Sequence, residues 1–285
     1  MRTLLSIAGL LALSACVIVS TNDGDTVSYS HYQSGGTLGN DKVTHELRPV
    51  GKLSALEVSG PIRVDVVVGE SASLDIETDS NLLPLVHSDT AGDTLRLWVD
   101  GAVRSSKGIR VIYRVPQLRE LNATGSSRIA VSGLAGGKLA VISKGSAPIQ
   151  LAGRVSTLDL SQHGSGGVNA TALSSETVNA SLNGSGRVSL GQVRGAALSA
   201  QLRGSGAVSA SGSVRKLDVQ LSGSGNVQFD GLDSDVADLV SNGSGSIAAA
   251  VGQTLVAHNN GSGWITVRGN PAQRNISGSR VSVSD

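Results

Sequence analysis

Gly184-Ser185-Gly186-Arg187-Val188-Ser189-Leu190 is followed by Gly204-Ser205-Gly206-Ala207-Val208-Ser209-Ala210, and the same phrase recurs through the second half of the chain. Gly-Ser-Gly or a near variant opens a repeat at Gly125, Gly145, Gly164, Gly184, Gly204, Gly223, Gly243, Gly261 and Gly278, at spacings of 20, 19, 20, 20, 19, 20, 18 and 17 residues. A period that steady predicts a stacked all-β solenoid, in which each repeat is one rung that buries its apolar side only against its neighbours. Such a fold is a scaffold, and no catalytic or ligand-binding signature rises above the repeat.

The rung can be read residue by residue. Shortly after each turn comes an aliphatic residue: Ile129, Ile149, Val168, Val188, Val208, Val227, Ile247, Ile265 and, one residue early, Val281. Two positions on stand Val131, Leu151, Ala170, Leu190, Ala210, Phe229, Ala249, Val267 and Val283, with mostly polar residues between. A period of two marks a short half-buried strand. A second strand precedes the turn, with pairs such as Leu158/Leu160, Leu198/Ala200 and Leu217/Val219. A lone apolar residue between strands, at Leu134, Val155, Leu173, Val193, Val214 and Leu232, predicts a third wall. Glycine at both ends of the turn predicts positive φ at a sharp corner. The serine between them is expected to bond its own turn or the serine one rung above.

Composition agrees with a thin, continuous core: aromatic residues are 2%, there are 37 glycines, and hydrophobic residues make up 39%. Rungs about 4.8 Å apart give the nine turns a length on the order of 40 Å. The formal charge of +1 offers no electrostatic case for a nucleic-acid partner or an anionic membrane surface.

The amino terminus carries a second signal. Met1-Arg2 is a short positive region, Leu4 to Leu13 is an apolar run too short to span a bilayer, and Leu13-Ser14-Ala15-Cys16 follows. That tetrapeptide resembles the bacterial lipobox, and it contains the single cysteine of the chain. The resemblance implies a signal peptide over residues 1–15 and lipidation at Cys16. It also implies a membrane partner through the lipid anchor; Val17 in the next position favours the outer membrane. Residues 16–45, rich in Ser, Thr, Gly, Asn and Asp, read as a flexible tether.

From residue 46 to 120 the strands lengthen and the Gly-Ser-Gly turn is missing, so this stretch reads as irregular amino-terminal coils and a cap over the regular rungs of residues 121–285. Ser59-Gly60-Pro61-Ile62-Arg63-Val64, Leu-x-Ile-x-Thr from Leu74 to Thr78, and Val-Pro-x-Leu from Val115 to Leu118, leading into repeated Gly-Ser-Gly, resemble the bacterial family of putative auto-transporter adhesins with a head GIN domain. The resemblance implies a single-stranded right-handed parallel β-helix on an exported protein, commonly a lipoprotein. It supplies no catalytic residues.

Chemistry is sparse. Asp230, Asp233, Asp235 and Asp238 fall in one rung, but the Gly-Gly-x-Gly-x-Asp phrase of calcium-binding β-rolls is missing, and the five histidines show no metal spacing. No catalytic residue, cofactor or metal is therefore expected. His163 and His258 lie beside turn serines without a recurring acidic partner. Asp159, Asn179, Ser199, Asp218 and Asp238, with Ser161, Ser181, Gln201 and Gln220, are expected to form an outward polar ladder lacking a basic residue.

That ladder suits a binding role better than hydrolysis, with Asn179, Gln201, Gln220 and the one stacking ring that Trp264 offers after its turn as candidate ligand contacts. The reading is a non-enzymatic lipoprotein of the cell envelope, an adhesin or scaffold for a glycan or a surface protein. The alternatives are a β-helical carbohydrate-active enzyme and a scaffold that self-associates through its ends.

Overall fold

The computed structural model describes residues 35–285. The expected signal peptide, Cys16 and most of the expected tether lie outside the described residues. Nine strands open the described chain: β1 (Thr37–Leu38), β2 (Val43–Arg48), β3 (Ala55–Ser59), β4 (Ile62–Val68), β5 (Ser73–Asp79), β6 (Val86–Ala91), β7 (Thr94–Val99), β8 (Val103–Arg104) and β9 (Ile109–Val115). β1 and β2 belong to the compact unit Gly36–Asp285, β1 paired with β8 and β2 antiparallel to β5.

From Glu120 onward the chain is a parallel β-solenoid with roughly 20 residues per turn. Its middle rungs are almost unbroken strand: Ile149–Gly164, Gly167–Gly184, Arg187–Gly204, Ala207–Gly223, Asn226–Gly243 and Ser246–Asn259. The glycine of one corner pairs with that of the next, as in Gly145↔Gly164↔Gly184↔Gly204↔Gly223↔Gly243. Strands entering the corners form one sheet, here the pre-corner sheet, and strands leaving them form the post-corner sheet. Register shifts collect on the third side, where rungs differ by a residue or two, as between Ser189 and Gln192.

Both glycines of a corner are held to glycine by close stacking, and the leading one by its backbone angle as well: a Cβ on Gly204 would stand 2.5 Å from the Gly184 carbonyl oxygen. The leading one takes positive φ, +116° at Gly204 and +129° at Gly184, as the turn chemistry predicts. The trailing one does not; a Cβ on Gly206 would stand 2.5 Å from the Gly186 carbonyl oxygen and 2.8 Å from Leu182 Cδ2. Close stacking of rungs, rather than dihedral angle, excludes a side chain there. Backbone alone closes the corner: the Gly184 carbonyl accepts from Ser205 N–H at 3.1 Å and Gly206 N–H at 3.0 Å, and the Gly204 carbonyl repeats this with Ser224 and Gly225. The turn serines Ser165, Ser185, Ser205, Ser224, Ser244 and Ser262 point their side chains into solvent.

Every column read as core is inward. Ile129 through Ile265, Val131 through Val267, the pre-corner pairs and the third-wall residues are all buried, while Val281 and Val283 of the last rung are only partly so. One further inward column runs Ala123↔Ser143↔Gln162↔Leu182↔Leu202↔Leu221↔Ser241↔Asn259, with three leucines in its middle flanked by polar pairs, Ser143 and Gln162 on one side and Ser241 and Asn259 on the other. Asn259 keeps its place there by donating to the carbonyls of Gly263 at 2.9 Å and Ser279 at 2.7 Å.

The ends differ. At the amino-terminal end β3 and β4 make ordinary parallel rungs with Glu120–Gly125 and Arg128–Ala135. Antiparallel partners then interrupt the coil: β5 lies against β9, β2 against β5, and β6 against β7. At the other end the inward column of Leu255 continues into Arg274, which donates to the Pro271 carbonyl at 3.0 Å and to Asn270 at 2.6 Å. A long stem with a polar head lets that rung close the core while meeting water.

Candidate binding face

Parallel register fixes which outward side chains become neighbours. On the pre-corner sheet it aligns Asp159↔Asn179↔Ser199↔Asp218↔Asp238 in one column and Ser161↔Ser181↔Gln201↔Gln220 in the next. Between these columns lies a shallow cleft of about 370 Å³, lined among others by Ala140, Ile142, Asp159, Asn179, Ser181 and Gln201. Ala140 and Ile142 lend one end an apolar floor, because small and aliphatic residues occupy those outward positions in the rung before Asp159.

Asp159 is the fixed charge of the cleft. Lys138 Nζ approaches one carboxylate oxygen at 2.6 Å, and Asn179 Nδ2 donates to the other at 2.7 Å. Those two hydrogen bonds hold its carboxyl below the usual carboxylate range, against a smaller opposing effect of burial. The expected absence of basic residues from the ladder is thus corrected. Lys138 reaches in from the adjacent outward column one rung back, and Lys216 meets Asp218, two positions on along its own strand, at 3.1 Å. Reading column by column misses both, since each pair joins neighbouring columns, Lys138 diagonally between two rungs and Lys216 along one strand.

Hydrolysis of a glycosidic bond by two carboxylates needs them about 5 to 9.5 Å apart. The next acid along the Asp159 column is Asp218, three rungs away, or about 14 Å at the usual strand spacing. Asp218 and Asp238 are neighbours, yet neither lines the cleft, and Lys216 holds the former. What the face offers is acceptors, amide donors and hydroxyls at fixed spacing beside an apolar strip.

The sequence-predicted contacts divide. Asn179 and Gln201 line the cleft together, and Gln220 continues the Gln201 column one rung beyond it. Trp264 does not join them: it leaves its corner on the post-corner sheet, 54% exposed, with the Arg280 guanidinium 5.8 Å from its ring centre. His163 Nε2 meets Ser161 at 2.9 Å and His258 meets Ser277, both within the pre-corner sheet and away from the turn serines. Of the four aspartates in one rung, Asp233 is bonded by Arg268 at 3.1 Å and Asp238 sits in the ladder. No group of three or more His, Cys, Asp or Glu among the described residues is arranged to hold a metal ion.

Sequence reasoning also passed over a second polar and aromatic arrangement. His87 on β6 stacks on Trp98 of β7 with ring centres 5.1 Å apart, and Asp100 takes bonds from His87 Nε2 at 2.8 Å and Trp98 Nε1 at 3.2 Å. Only the antiparallel β6–β7 pairing brings these three together, and no repeat announces it.

No helix among the described residues is long and apolar enough to cross a membrane. No protein among the curated sequences matches this chain. Among solved structures, a putative adhesin from Parabacteroides merdae superposes with a TM-score of 0.68 at 20% identity, covering 87% of this chain and 98% of that one. A putative adhesin from Parabacteroides distasonis gives 0.67 at 18% identity, covering 87% and 99%. A putative lipid binding protein from the same species gives 0.62 at 20% identity, covering 88% and 100%. At these identities the likeness is one of fold. The family described as putative auto-transporter adhesin, head GIN domain, matches residues 52–195 and again 169–271, spanning the irregular coils and the regular rungs alike. The chain belongs to that family.

Proposed function

We propose that this protein is a non-enzymatic binding protein of the cell envelope, whose pre-corner sheet holds a neutral glycan chain laid along the rungs. The carrying observation is the Asp159 cleft, where a carboxylate fixed by Lys138 and Asn179 shares its lining with Gln201 two rungs on, while Ala140 and Ile142 floor the opposite end. Rungs about 4.8 Å apart repeat amides and hydroxyls at a spacing comparable to one sugar unit. Membership of an adhesin family supports a role at the surface or envelope.

Retention on immobilised envelope polysaccharide tests the reading. Wild-type chain should be retained and the glycan recovered unchanged, while Asn179→Ala combined with Gln201→Ala should lower retention by about tenfold, the loss of one or two ordinary hydrogen bonds. Equal retention of the double variant would refute this face, and release of reducing ends would restore the enzymatic alternative.

Anchoring rests on Cys16, which lies outside the described residues. Lipidation there would hold the protein in the outer membrane, and Cys16→Ser should release it from the membrane fraction. Unchanged fractionation would remove the lipid anchor from the account.

A further inference from the structure

On the post-corner sheet, at the amino-terminal end, register places three arginines side by side on successive strands: Arg110 of β9, Arg63 of β4 and Arg128 of the strand Arg128–Ala135. Like charges directly opposite on neighbouring strands destabilise a sheet. Asp65, one outward position along β4, relieves part of this by bonding Arg110 at 2.8 Å, with Arg63 farther off at 3.8 Å. Glu77 of β5 is the register neighbour of Arg110 on the far side. Arg128 has no ion-pair partner among the described residues, nor has Lys107 from the loop before β9. All four cations line one cleft of about 310 Å³, together with Ser126 of the first corner, and no carboxylate lines it. Three other clefts of comparable size each include an acidic side chain.

We propose that this cleft binds a phosphate-bearing ligand, a phosphomonoester or diphosphate group, through Arg63, Arg128 and Lys107, with Arg110 held in place by Asp65. Guanidinium groups repeat at the strand spacing of about 4.8 Å, so two of them can grip one phosphate from both sides, as bidentate donors do. The first corner reads Gly125-Ser126-Ser127 where later ones read Gly-Ser-Gly, and Ser126 adds a hydroxyl at the rim. A cleft of this volume admits one or two phosphate groups and not a nucleic-acid duplex. A whole-chain charge of +1 is silent on this concentration, because the cations are balanced by acids elsewhere. The site stands on a different sheet from the Asp159 cleft, so either assignment can fail without the other.

Sodium pyrophosphate titrated into the full chain by calorimetry is the test. Saturable binding that weakens with added salt is expected in the wild type. Arg63→Gln with Arg128→Gln should weaken it about 100-fold, near tenfold for each charged hydrogen-bonding group. Arg154→Gln with Arg194→Gln removes the same charge from the third side and should leave binding unchanged. Absence of saturable binding, or an equal loss in both double variants, would overturn the proposal; a circular dichroism spectrum matching the wild type guards against misfolding of either variant. Sedimentation with phosphatidylcholine vesicles, with and without phosphatidic acid, then tells the source. An Arg63- and Arg128-dependent increment with phosphatidic acid assigns a lipid headgroup, and pyrophosphate binding without that increment assigns a soluble or glycan-borne phosphate. Both outcomes support the cleft.

Discussion

Replacing Gly206 with Ala isolates the reason for the trailing glycine. Its backbone suits any residue, yet an added Cβ would lie 2.5 Å from the Gly186 carbonyl oxygen, and that oxygen already accepts from Ala207 N–H at 3.0 Å. To regain an ordinary contact near 3.4 Å the two rungs must part by close to an ångström at the corner, which stretches the Gly184 and Gly186 acceptor bonds together. Overpacking of this kind costs about 1 to 3 kcal/mol. Gly231 supplies the control: its backbone is also unstrained, and a Cβ there would meet nothing nearer than 3.7 Å. Gly231→Ala should be neutral or stabilise by about 0.4 to 1 kcal/mol, since alanine has fewer unfolded conformations to lose. Hydrogen exchange is the assay, because solenoid rungs open locally and a single melting temperature blurs them. In Gly206→Ala the amides of Ser205, Gly206 and Ala207 should lose about five- to 150-fold protection, the equivalent of that energy at 1.4 kcal/mol per decade, while the corner at Gly145 keeps its own. Equal protection in the two variants would refute the steric account, and a loss spread evenly over all rungs would refute the nearest-neighbour one.

Val208→Asp should bury an unpaired charge at a site 1% exposed and unfold the central rungs at a cost of several kcal/mol, whereas Ser209→Asp, outward on the next position, should be nearly neutral by denaturant titration; similar midpoints would mean the register is wrong. Tyr113 is fully buried with its hydroxyl unpartnered, and burial, with a smaller contribution from the negative charge of Asp93, pushes its pKa up to about 12. A raised folded pKa gives stability that is complete below the unfolded value near 10 and lost as pH rises toward 12. Tyr113→Phe should therefore leave stability at pH 7 unchanged or higher and flatten the alkaline loss, as read by denaturant midpoints at pH 7 and pH 11.

The regular rungs were legible because two demands coincide in them: an alternating strand and a fixed corner. Val168, Val188 and Val208 can be placed inward without coordinates, since every rung repeats the test that one rung poses. The corner glycines show the limit of that method, for composition cannot separate a dihedral and packing requirement at Gly204 from packing alone at Gly206. The amino-terminal coils were legible only as strands, because β5 and β2 double back antiparallel beyond β9, outside the parallel rungs. Chemistry hid in the same way. Lys138 meets Asp159 across columns, and Arg63, Arg110 and Arg128 lie 47 and 18 residues apart in the chain, so nothing short of register puts them on one row. Trp264 illustrates the opposite error, an exposed ring whose position in the repeat says little about which face it shares.

The corner ladder has a mechanical consequence. Its backbone bonds, from Gly184 to Ser205 and Gly206 and from Gly204 to Ser224 and Gly225, run along the solenoid axis, so tension between the two ends loads successive rungs in series. Only one interface need give at a time. A rung that peels away releases roughly 20 residues, or about 70 Å of extended chain, in place of the 4.8 Å it occupied when stacked. Pulled in a single-molecule trap, the protein should lengthen in even steps at modest force and rewind when slack, behaving as a ratcheted spring more than as a stiff strut.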